Sequence, residues 1–120
     1  MMITMLKSKI YYATVTEAQL YYRGSITIDE DIIKKANLLE HEKVEVLNLN
    51  NGNRIETYVI TGKRSSGVIC LNGPAARTGV IGDRLIILSY GIYNEEEAKK
   101  QKPVFVELDD GNKIKNTNLA

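Results

Sequence analysis

The stretch KVEVLNLNNGNRIETYVITG, residues 43–62, holds two runs of β-favouring residues on either side of an Asn-Gly pair. KVEVLNL (43–49) and RIETYVITG (54–62) are rich in Val, Ile, Thr and Tyr, which are common in strands. Asn51 and Gly52 tolerate the positive φ that a tight hairpin turn requires. The stretch therefore predicts a β-hairpin and makes a mainly β fold the first expectation for this chain.

Segments on both sides of the hairpin continue the β pattern. GVICLNG (67–73) and DRLIILSYG (83–91) are nearly continuous in apolar residues, as strands buried on both faces are. Three further segments are predicted to be strands: SKIYYATVTEAQLYY (8–22), SITI (25–28) and VFVEL (104–108).

Two short helices complete the pattern. DEDIIKKANL (29–38) and NEEEAKKQKP (94–103) each open on a capping Asp or Asn, with acidic residues in the first turn and lysines further on. Residues 109–120 are polar and predict a mobile tail. Short strands present exposed edges unless their sheet closes, so residues 1–120 are predicted to form one small β-barrel domain with flanking helices.

Composition argues against several classes of function. With 16 basic and 15 acidic residues the formal net charge is +1, which gives no general attraction to nucleic acid or to an anionic membrane. No apolar run approaches the roughly 20 residues of a membrane span, and no signal-peptide pattern is present. Cys70 and His41 are the only residues of their kinds, too few for a usual zinc site or for a disulfide within the chain. We expect a cytoplasmic protein without a metal.

The pair Gly24-Ser25 interrupts the extended segment LYYRGSITIDED (20–31) and admits two interpretations. A β-bulge or tight bend is the commoner role of glycine within a strand, and the pattern alone favours it. In the second interpretation the Ser25 hydroxyl attacks the carbonyl carbon of Gly24, and the resulting ester eliminates. The chain then breaks and the serine becomes a pyruvoyl group. Such an attack needs a hydrogen-bond donor from elsewhere in the fold to stabilise the oxyanion.

Four motifs favour the second interpretation, because together they resemble the aspartate 1-decarboxylase family of pyruvoyl-dependent enzymes. The motifs are MLKSKI (5–10), YYRGSITIDED (21–31), NNGNRIETYVI (50–60) and LNGPAA (71–76). The resemblance implies a six-stranded double-psi β-barrel that assembles as a homotetramer, with active sites between subunits. It also implies autocatalytic cleavage into chains 1–24 and 25–120, with a covalent pyruvoyl group derived from Ser25 in place of PLP.

The implied reaction is decarboxylation of L-aspartate to β-alanine and CO2, which feeds pantothenate and coenzyme A synthesis. Ser25 and Tyr58 would be catalytic, the latter as proton donor, since a phenol is protonated at neutral pH. Thr57 corresponds to the oxyanion donor for cleavage at Gly24. The two carboxylates of aspartate call for cations, for which the resemblance offers Arg54 and a lysine. The implied substrate-binding residues are Lys9, Tyr22, Arg54, Thr57, Asn72, Gly73, Pro74 and Ala75.

Three features strain this resemblance. Tyr11 stands where the family usually has histidine, so a positive charge at that position is lost. Pro74 stands where the family usually has alanine, and it removes one backbone N–H from the loop. Strand alternation puts Arg54 and Tyr58 on one face of their strand and Thr57 on the other.

Other interpretations stay open at the level of sequence. Without the family, Thr57 and Tyr58 are ordinary strand formers, Lys9 and Arg54 are solvated charges, and residues 71–76 are a plain turn. A non-catalytic β-barrel binding module would leave the chain uncut. A pyruvoyl decarboxylase for another amino acid, such as glutamate, would differ by one methylene in its substrate. Whether maturation uses a helper protein is also open.

Overall fold

The computed structural model describes residues 1–117, which form nine strands and two short α-helices. The strands are β1 (Met2–Thr14), β2 (Glu17–Gln19), β3 (Ser25–Asp29), β4 (Lys43–Asn48), β5 (Arg54–Gly62), β6 (Ile69–Asn72), β7 (Arg84–Asn94), β8 (Val104–Leu108) and β9 (Ile114–Thr117). The helices are α1 (Glu30–Lys35) and α2 (Glu95–Lys100), and a 3-10 turn spans Gly73–Arg77. The mainly β fold predicted from the sequence is confirmed.

The strands hydrogen-bond in the order β2-β6-β3-β5-β4-β7-β1-β8-β9. Three neighbouring pairs run parallel, β1 with β8, β2 with β6 and β3 with β5, and the others are antiparallel. The strand that begins at Ser25, β3, therefore lies between a parallel neighbour and an antiparallel one. Closure of this sheet into a six-stranded double-psi barrel stays a prediction.

The hairpin at residues 43–62 forms as predicted. β4 and β5 pair antiparallel as far as Leu47 and Arg54, and Gly52 in the turn has a φ of 78°. Val44, Val46 and Asn48 are buried while the residues that alternate with them are more exposed, as the period of two along a half-buried strand requires.

Aliphatic side chains from seven strands, β1 and β3 to β8, meet in one core. Ile10, Ile26, Val59, Leu71 and Ile87 are all essentially inaccessible to solvent. Each such side chain contributes about 1.5–3 kcal/mol by leaving water. Because β3, β5 and β6 all contribute, the segment that carries Ser25 is held from both sides by the core.

The structure differs from the sequence-based expectation in three places. The strand predicted over residues 8–22 is two strands, and β1 begins already at Met2 because it pairs with β7 along almost its whole length. Both helices are only six residues long. In place of the mobile tail predicted from residue 109, the chain makes a hydrogen-bonded turn and then β9, which pairs with β8. Residues 118–120 of that predicted tail lie outside the described residues.

Asn112 ties the turn before β9 to the rest of the fold. Its side chain is 2% exposed. It accepts a hydrogen bond from the Thr14 amide at 2.8 Å and donates to the carbonyl oxygens of Thr14 and Gly67, each at 2.8 Å. The Asn112 side chain thus provides hydrogen-bond partners for three backbone groups from two other segments.

Asp29 joins α1 to the loop before β6. Its buried carboxylate caps the helix by accepting from the Asp31 amide at 2.8 Å. The same carboxylate accepts from the backbone N–H groups of Ser65 at 3.0 Å and Gly67 at 2.8 Å. Loss of this side chain would leave the buried Gly67 N–H without its acceptor.

Glu42 is the centre of a part-buried polar cluster between β1 and β7. Its carboxylate accepts from Lys7 Nζ at 2.9 Å, from Ser89 Oγ at 2.5 Å and from the Leu39 amide at 3.0 Å. Burial acts to raise the pKa of Glu42, but the hydrogen bonds from Ser89 and Lys7 outweigh it and hold the pKa below its ordinary value.

Candidate active site

Ser25 is the first residue of β3 and is 0% exposed. The antiparallel ladder between β3 and β6 places it directly opposite Asn72. Asn72 Nδ2 donates to Ser25 Oγ at 2.9 Å, and Ser25 Oγ donates to the carbonyl oxygen of Arg23 at 3.3 Å. The hydroxyl is therefore both buried and oriented, with its proton directed to the carbonyl oxygen two residues before it.

The parallel ladder between β3 and β5 brings the second half of the site to Gly24. Ile26 pairs with Val59, so two residues further back Gly24 falls beside Thr57. A pocket of about 390 Å³ opens at this point. Its lining residues are Gly24, Ile55, Glu56, Thr57, Tyr58, Pro74, Ala75 and Thr78. Gly24, Thr57, Tyr58, Pro74 and Ala75, which come from three separate sequence motifs, thus share one space.

Thr57 and Tyr58 both line this pocket, although strand alternation sends their side chains to opposite faces. The reason lies in where the β3–β5 ladder starts. The first pair of this ladder is Ile26 with Val59, so Thr57 and Tyr58 lie on β5 just before β3 begins to pair with it. At this end of the ladder, side chains from both faces of β5 can border one space. The Tyr58 ring also stands edge-on to His41, with ring centroids 6.1 Å apart.

Gly73 lets the turn after β6 approach the segment before Ser25. Its φ is 63°, a left-handed conformation that favours glycine. A Cβ at this position would lie 2.5 Å from the carbonyl oxygen of Tyr22 and 2.9 Å from the amide nitrogen of Gly24. Pro74 is at ordinary contact distance from the same segment: its Cδ lies 3.5 Å from where a Gly24 Cβ would be. The loop therefore packs directly on the peptide that precedes Ser25.

Only three of the eight sequence-predicted binding residues, Thr57, Pro74 and Ala75, line the pocket formed by one chain. Asn72 and Gly73 lie next to it, before Pro74 in the chain, and the other three lie elsewhere. Arg54 Nη1 bonds to Glu45 Oε1 at 2.8 Å, and its side chain is 58% exposed. The hydrogen bond to Glu45 raises the pKa of Arg54 further above its ordinary value. Lys9 lies on β1, with Nζ 5.4 Å from the centroid of the Tyr11 ring. Tyr22 is exposed and lines a separate depression in the segment of residues 20–23.

Thr27 and Cys70 lie beside Ser25 but have no predicted role in the site from the sequence. Asn72 Nδ2 donates to Thr27 Oγ1 at 2.9 Å as well as to Ser25, and Asn72 Oδ1 accepts from Cys70 Sγ at 3.1 Å. The only sequence signal is the alternation Ser25-x-Thr27 and Cys70-x-Asn72, which becomes informative once β3 and β6 are known to pair.

Within residues 1–117, the structure groups no three His, Cys, Asp or Glu side chains so that they could hold a metal ion. In that same part of the chain no helix has both the length and the apolar character needed to cross a membrane. The groups in and beside the pocket include the buried Ser25 hydroxyl, the Asn72 side-chain amide, Thr57 and Tyr58, all close to Gly24.

Comparison with known proteins gives a consistent result. The model of the aspartate decarboxylase family matches residues 1–115. A protein of Acetivibrio thermocellus named aspartate 1-decarboxylase is 60% identical over 116 residues, which cover 97% of this chain and 92% of the relative. Proteins of the same name from Clostridium beijerinckii and Heliobacterium modesticaldum are 57% and 59% identical, over 96% and 90% of this chain and 93% and 82% of their own lengths. With a buried serine after glycine inside the matched region, the chain belongs to the aspartate decarboxylase family.

Proposed function

We propose that this protein is a pyruvoyl-dependent enzyme that converts L-aspartate to β-alanine and CO2 for pantothenate and coenzyme A synthesis, after it has cut its own chain between Gly24 and Ser25. The observation that carries the proposal is the buried Ser25 hydroxyl, fixed by Asn72 beside a pocket lined by Gly24, Thr57 and Tyr58. Family membership supports the same reaction, since the relatives carry its name.

The residues present fit formation of a pyruvoyl group at position 25. Ser25 Oγ forms a bond to the carbonyl carbon of Gly24 as the C–N bond breaks, and the hydroxyl proton moves to the freed nitrogen. A proton then leaves Cα of residue 25 to water, the Cβ–Oγ bond breaks, and Oγ departs with its electron pair as part of the Gly24 carboxylate. Water then adds to the carbon that carries the nitrogen, the nitrogen leaves as ammonia, and a ketone remains at that carbon. Glycine at position 24 suits the attack because no Cβ crowds its carbonyl.

Two groups of this chain would stabilise the charge that develops during cleavage. Thr57 lines the pocket beside Gly24, and its hydroxyl would donate to the oxyanion formed on the Gly24 carbonyl oxygen. Asn72 Nδ2 already donates to Ser25 Oγ at 2.9 Å. Because that oxygen leaves as a carboxylate oxygen, the same N–H would become a charge-assisted hydrogen bond, which is roughly twice as strong as a neutral one.

In the decarboxylation the pyruvoyl ketone supplies the electron sink for the bond that loses CO2. Tyr58 would hold the phenolic proton that is delivered to the α-carbon. Arg54 and Lys9 would hold the two carboxylates of aspartate, and Tyr22 and the loop of Gly73, Pro74 and Ala75 would shape the rest of the binding site. The amide of Asn72 would complete the polar contacts.

Assembly as a homotetramer with sites between subunits would explain why Lys9, Arg54 and Tyr22 lie outside the pocket of a single chain. In this arrangement a neighbouring subunit supplies the cations. We further propose that the enzyme acts in the cytoplasm, where a lone cysteine stays reduced, and that any helper protein acts on the uncut chain.

Intact-mass measurement and CO2 release from L-aspartate test the proposal together. We expect the wild type to yield chains 1–24 and 25–120, the latter with a pyruvoyl end, and to release CO2. Ser25→Ala should remain one inactive chain. A wild type that stays uncut after long incubation with cell extract, or that releases CO2 while uncut, would contradict the proposal.

Thr57 offers a sharper test of the cleavage step. Thr57→Val keeps the branched shape but lacks the hydroxyl, so cleavage should slow by about 10²–10³-fold, the usual effect of losing an oxyanion donor. Thr57→Ser keeps the hydroxyl and is the matched control, expected to cut within a few-fold of the wild-type rate. Normal processing of the valine variant would remove Thr57 from the mechanism.

A further inference from the structure

Four side chains form a compact polar patch on one face of the β3–β6 ladder. Ser25 is paired with Asn72 and Thr27 with Cys70, and side chains two residues apart on a strand point to the same face. Cys70 and Asn72 are buried, as is Ser25. The Asn72 amide sits among the other three, with Nδ2 2.9 Å from both Ser25 Oγ and Thr27 Oγ1 and Oδ1 3.1 Å from Cys70 Sγ.

The orientation of this amide follows from where the neighbouring protons go. Ser25 Oγ donates its own proton to the carbonyl oxygen of Arg23, so it accepts from Asn72. The Cys70 thiol donates to Oδ1 of the amide, and Thr27 Oγ1 accepts the second N–H. Both N–H groups and the oxygen of the amide therefore have partners, and a reversed amide would face the thiol with N–H and Ser25 with oxygen.

Burial keeps the thiol able to donate. Burial, together with the nearby Glu17 carboxylate, raises the pKa of Cys70 to about 11. The thiol is therefore protonated throughout the neutral range and can donate to Asn72 Oδ1, which lies 3.1 Å from Sγ.

We propose that Thr27 and Cys70 are positioning residues that turn the amide N–H of Asn72 toward Ser25 Oγ for the step in which the chain breaks. This inference rests on the proposed function. The step is scission of the Cβ–Oγ bond of the ester, in which Oγ takes the electron pair and becomes a carboxylate oxygen of Gly24. An N–H aimed at Oγ stabilises that charge, whereas a carbonyl oxygen in its place would repel it.

The role predicts which step slows when the positioning residues are changed. Thr27→Val removes the acceptor but keeps the methyl group that packs near Gly62, and Cys70→Ala removes the donor. Each variant should complete cleavage roughly tenfold more slowly than the wild type, the effect of one lost hydrogen bond to a charged group. Because elimination rather than attack is impaired, the ester should accumulate.

Hydroxylamine reports the ester directly. It cleaves the ester at the Gly24 carbonyl, so the longer chain then begins with an unmodified serine instead of a pyruvoyl group, and intact mass separates the two. We expect a hydroxylamine-sensitive fraction in Thr27→Val and Cys70→Ala that exceeds that of the wild type. Thr27→Ser and Cys70→Ser keep the hydrogen-bonding groups and should restore the wild-type rate. Circular dichroism and thermal unfolding are used to check that each variant is folded. If Thr27→Val is not folded, Thr27→Ala takes its place.

The outcomes separate this inference from the proposed function. A wild type that neither cuts itself nor forms an ester overturns the proposed function. A wild type that cuts normally, with folded Thr27→Val and Cys70→Ala variants that cut at the same rate, overturns only the positioning role. Slow cleavage without any gain in the hydroxylamine-sensitive fraction also overturns it, since a general packing defect would act before the ester forms.

Discussion

Replacement of Gly73 by alanine should obstruct chain cleavage through a direct clash with the scissile segment. The added methyl group would lie 2.5 Å from the Tyr22 carbonyl oxygen and 2.9 Å from the Gly24 nitrogen, while ordinary contacts begin at 3.4 Å. The turn and the segment would have to separate by nearly an ångström. The left-handed φ costs alanine about 1–2 kcal/mol, and overpacking adds about 1–3 kcal/mol. A displacement of this size at reacting groups costs roughly 10²-fold in rate.

Gly52→Ala is the matched control for this experiment. Gly52 has a similar φ of 78°, but nothing lies within 4 Å of the position that its Cβ would take. The Gly52→Ala variant therefore carries the backbone cost of a left-handed φ without the clash, and its chain should be cut at the wild-type rate. Intact-mass time courses and thermal unfolding of the uncut chains measure both effects. If Gly73→Ala cuts as fast as Gly52→Ala, the loop does not set the geometry of the scissile peptide.

Three further predictions concern stability. Asn112→Ala should destabilise the fold by about 2–4 kcal/mol in chemical denaturation because three backbone groups lose their partner, whereas Asn116→Ala, at an exposed position, should cost under about 0.5 kcal/mol; equal effects would refute the account. Asp29→Ala should cost about 2–3 kcal/mol by the same measurement, through the lost cap and the stranded Gly67 N–H, and a neutral result would contradict the anchoring role. Glu42 has a lowered pKa when folded, so its carboxylate stabilises the fold above its ordinary pKa of 4.5 and this contribution is lost as pH falls through the lower folded pKa; as pH falls below 4.5 the wild type should therefore lose more stability than Glu42→Gln, and free energies of unfolding that fall equally in the two proteins would refute this.

Local patterns predicted those parts of the fold whose cause is local. The hairpin at residues 43–62 depends on an Asn-Gly turn and on two adjacent runs of strand formers, and β5 and β8 have the predicted bounds. The first residues of β1 carry no such signal. They form a strand because β7 pairs with them from a position more than seventy residues further on, which no window of sequence contains.

The candidate site shows the same division. The motif around Gly24-Ser25 is readable in sequence, but its position beside Thr57 depends on the parallel ladder between β3 and β5. Alternation along β5 predicts different locations for Thr57 and Tyr58. The pattern of one strand does not show where its neighbour β3 begins, and that point decides which side chains border the pocket. Thr27 carries no functional signal in the local sequence because its partner Asn72 lies 45 residues away.

The position of β1 between β7 and β8 has a consequence for the mature protein. If the chain is cut after Gly24 as proposed, the short product is not a released propeptide but an interior strand of the sheet, bound only by non-covalent contacts. The uncut precursor renatures as one molecule, whereas the denatured mature form must find its own missing strand by diffusion. Recovery from denaturation should then be second order in the concentrations of the two chains and fail on dilution. The mature enzyme would therefore keep its fold only as long as the short chain stays bound.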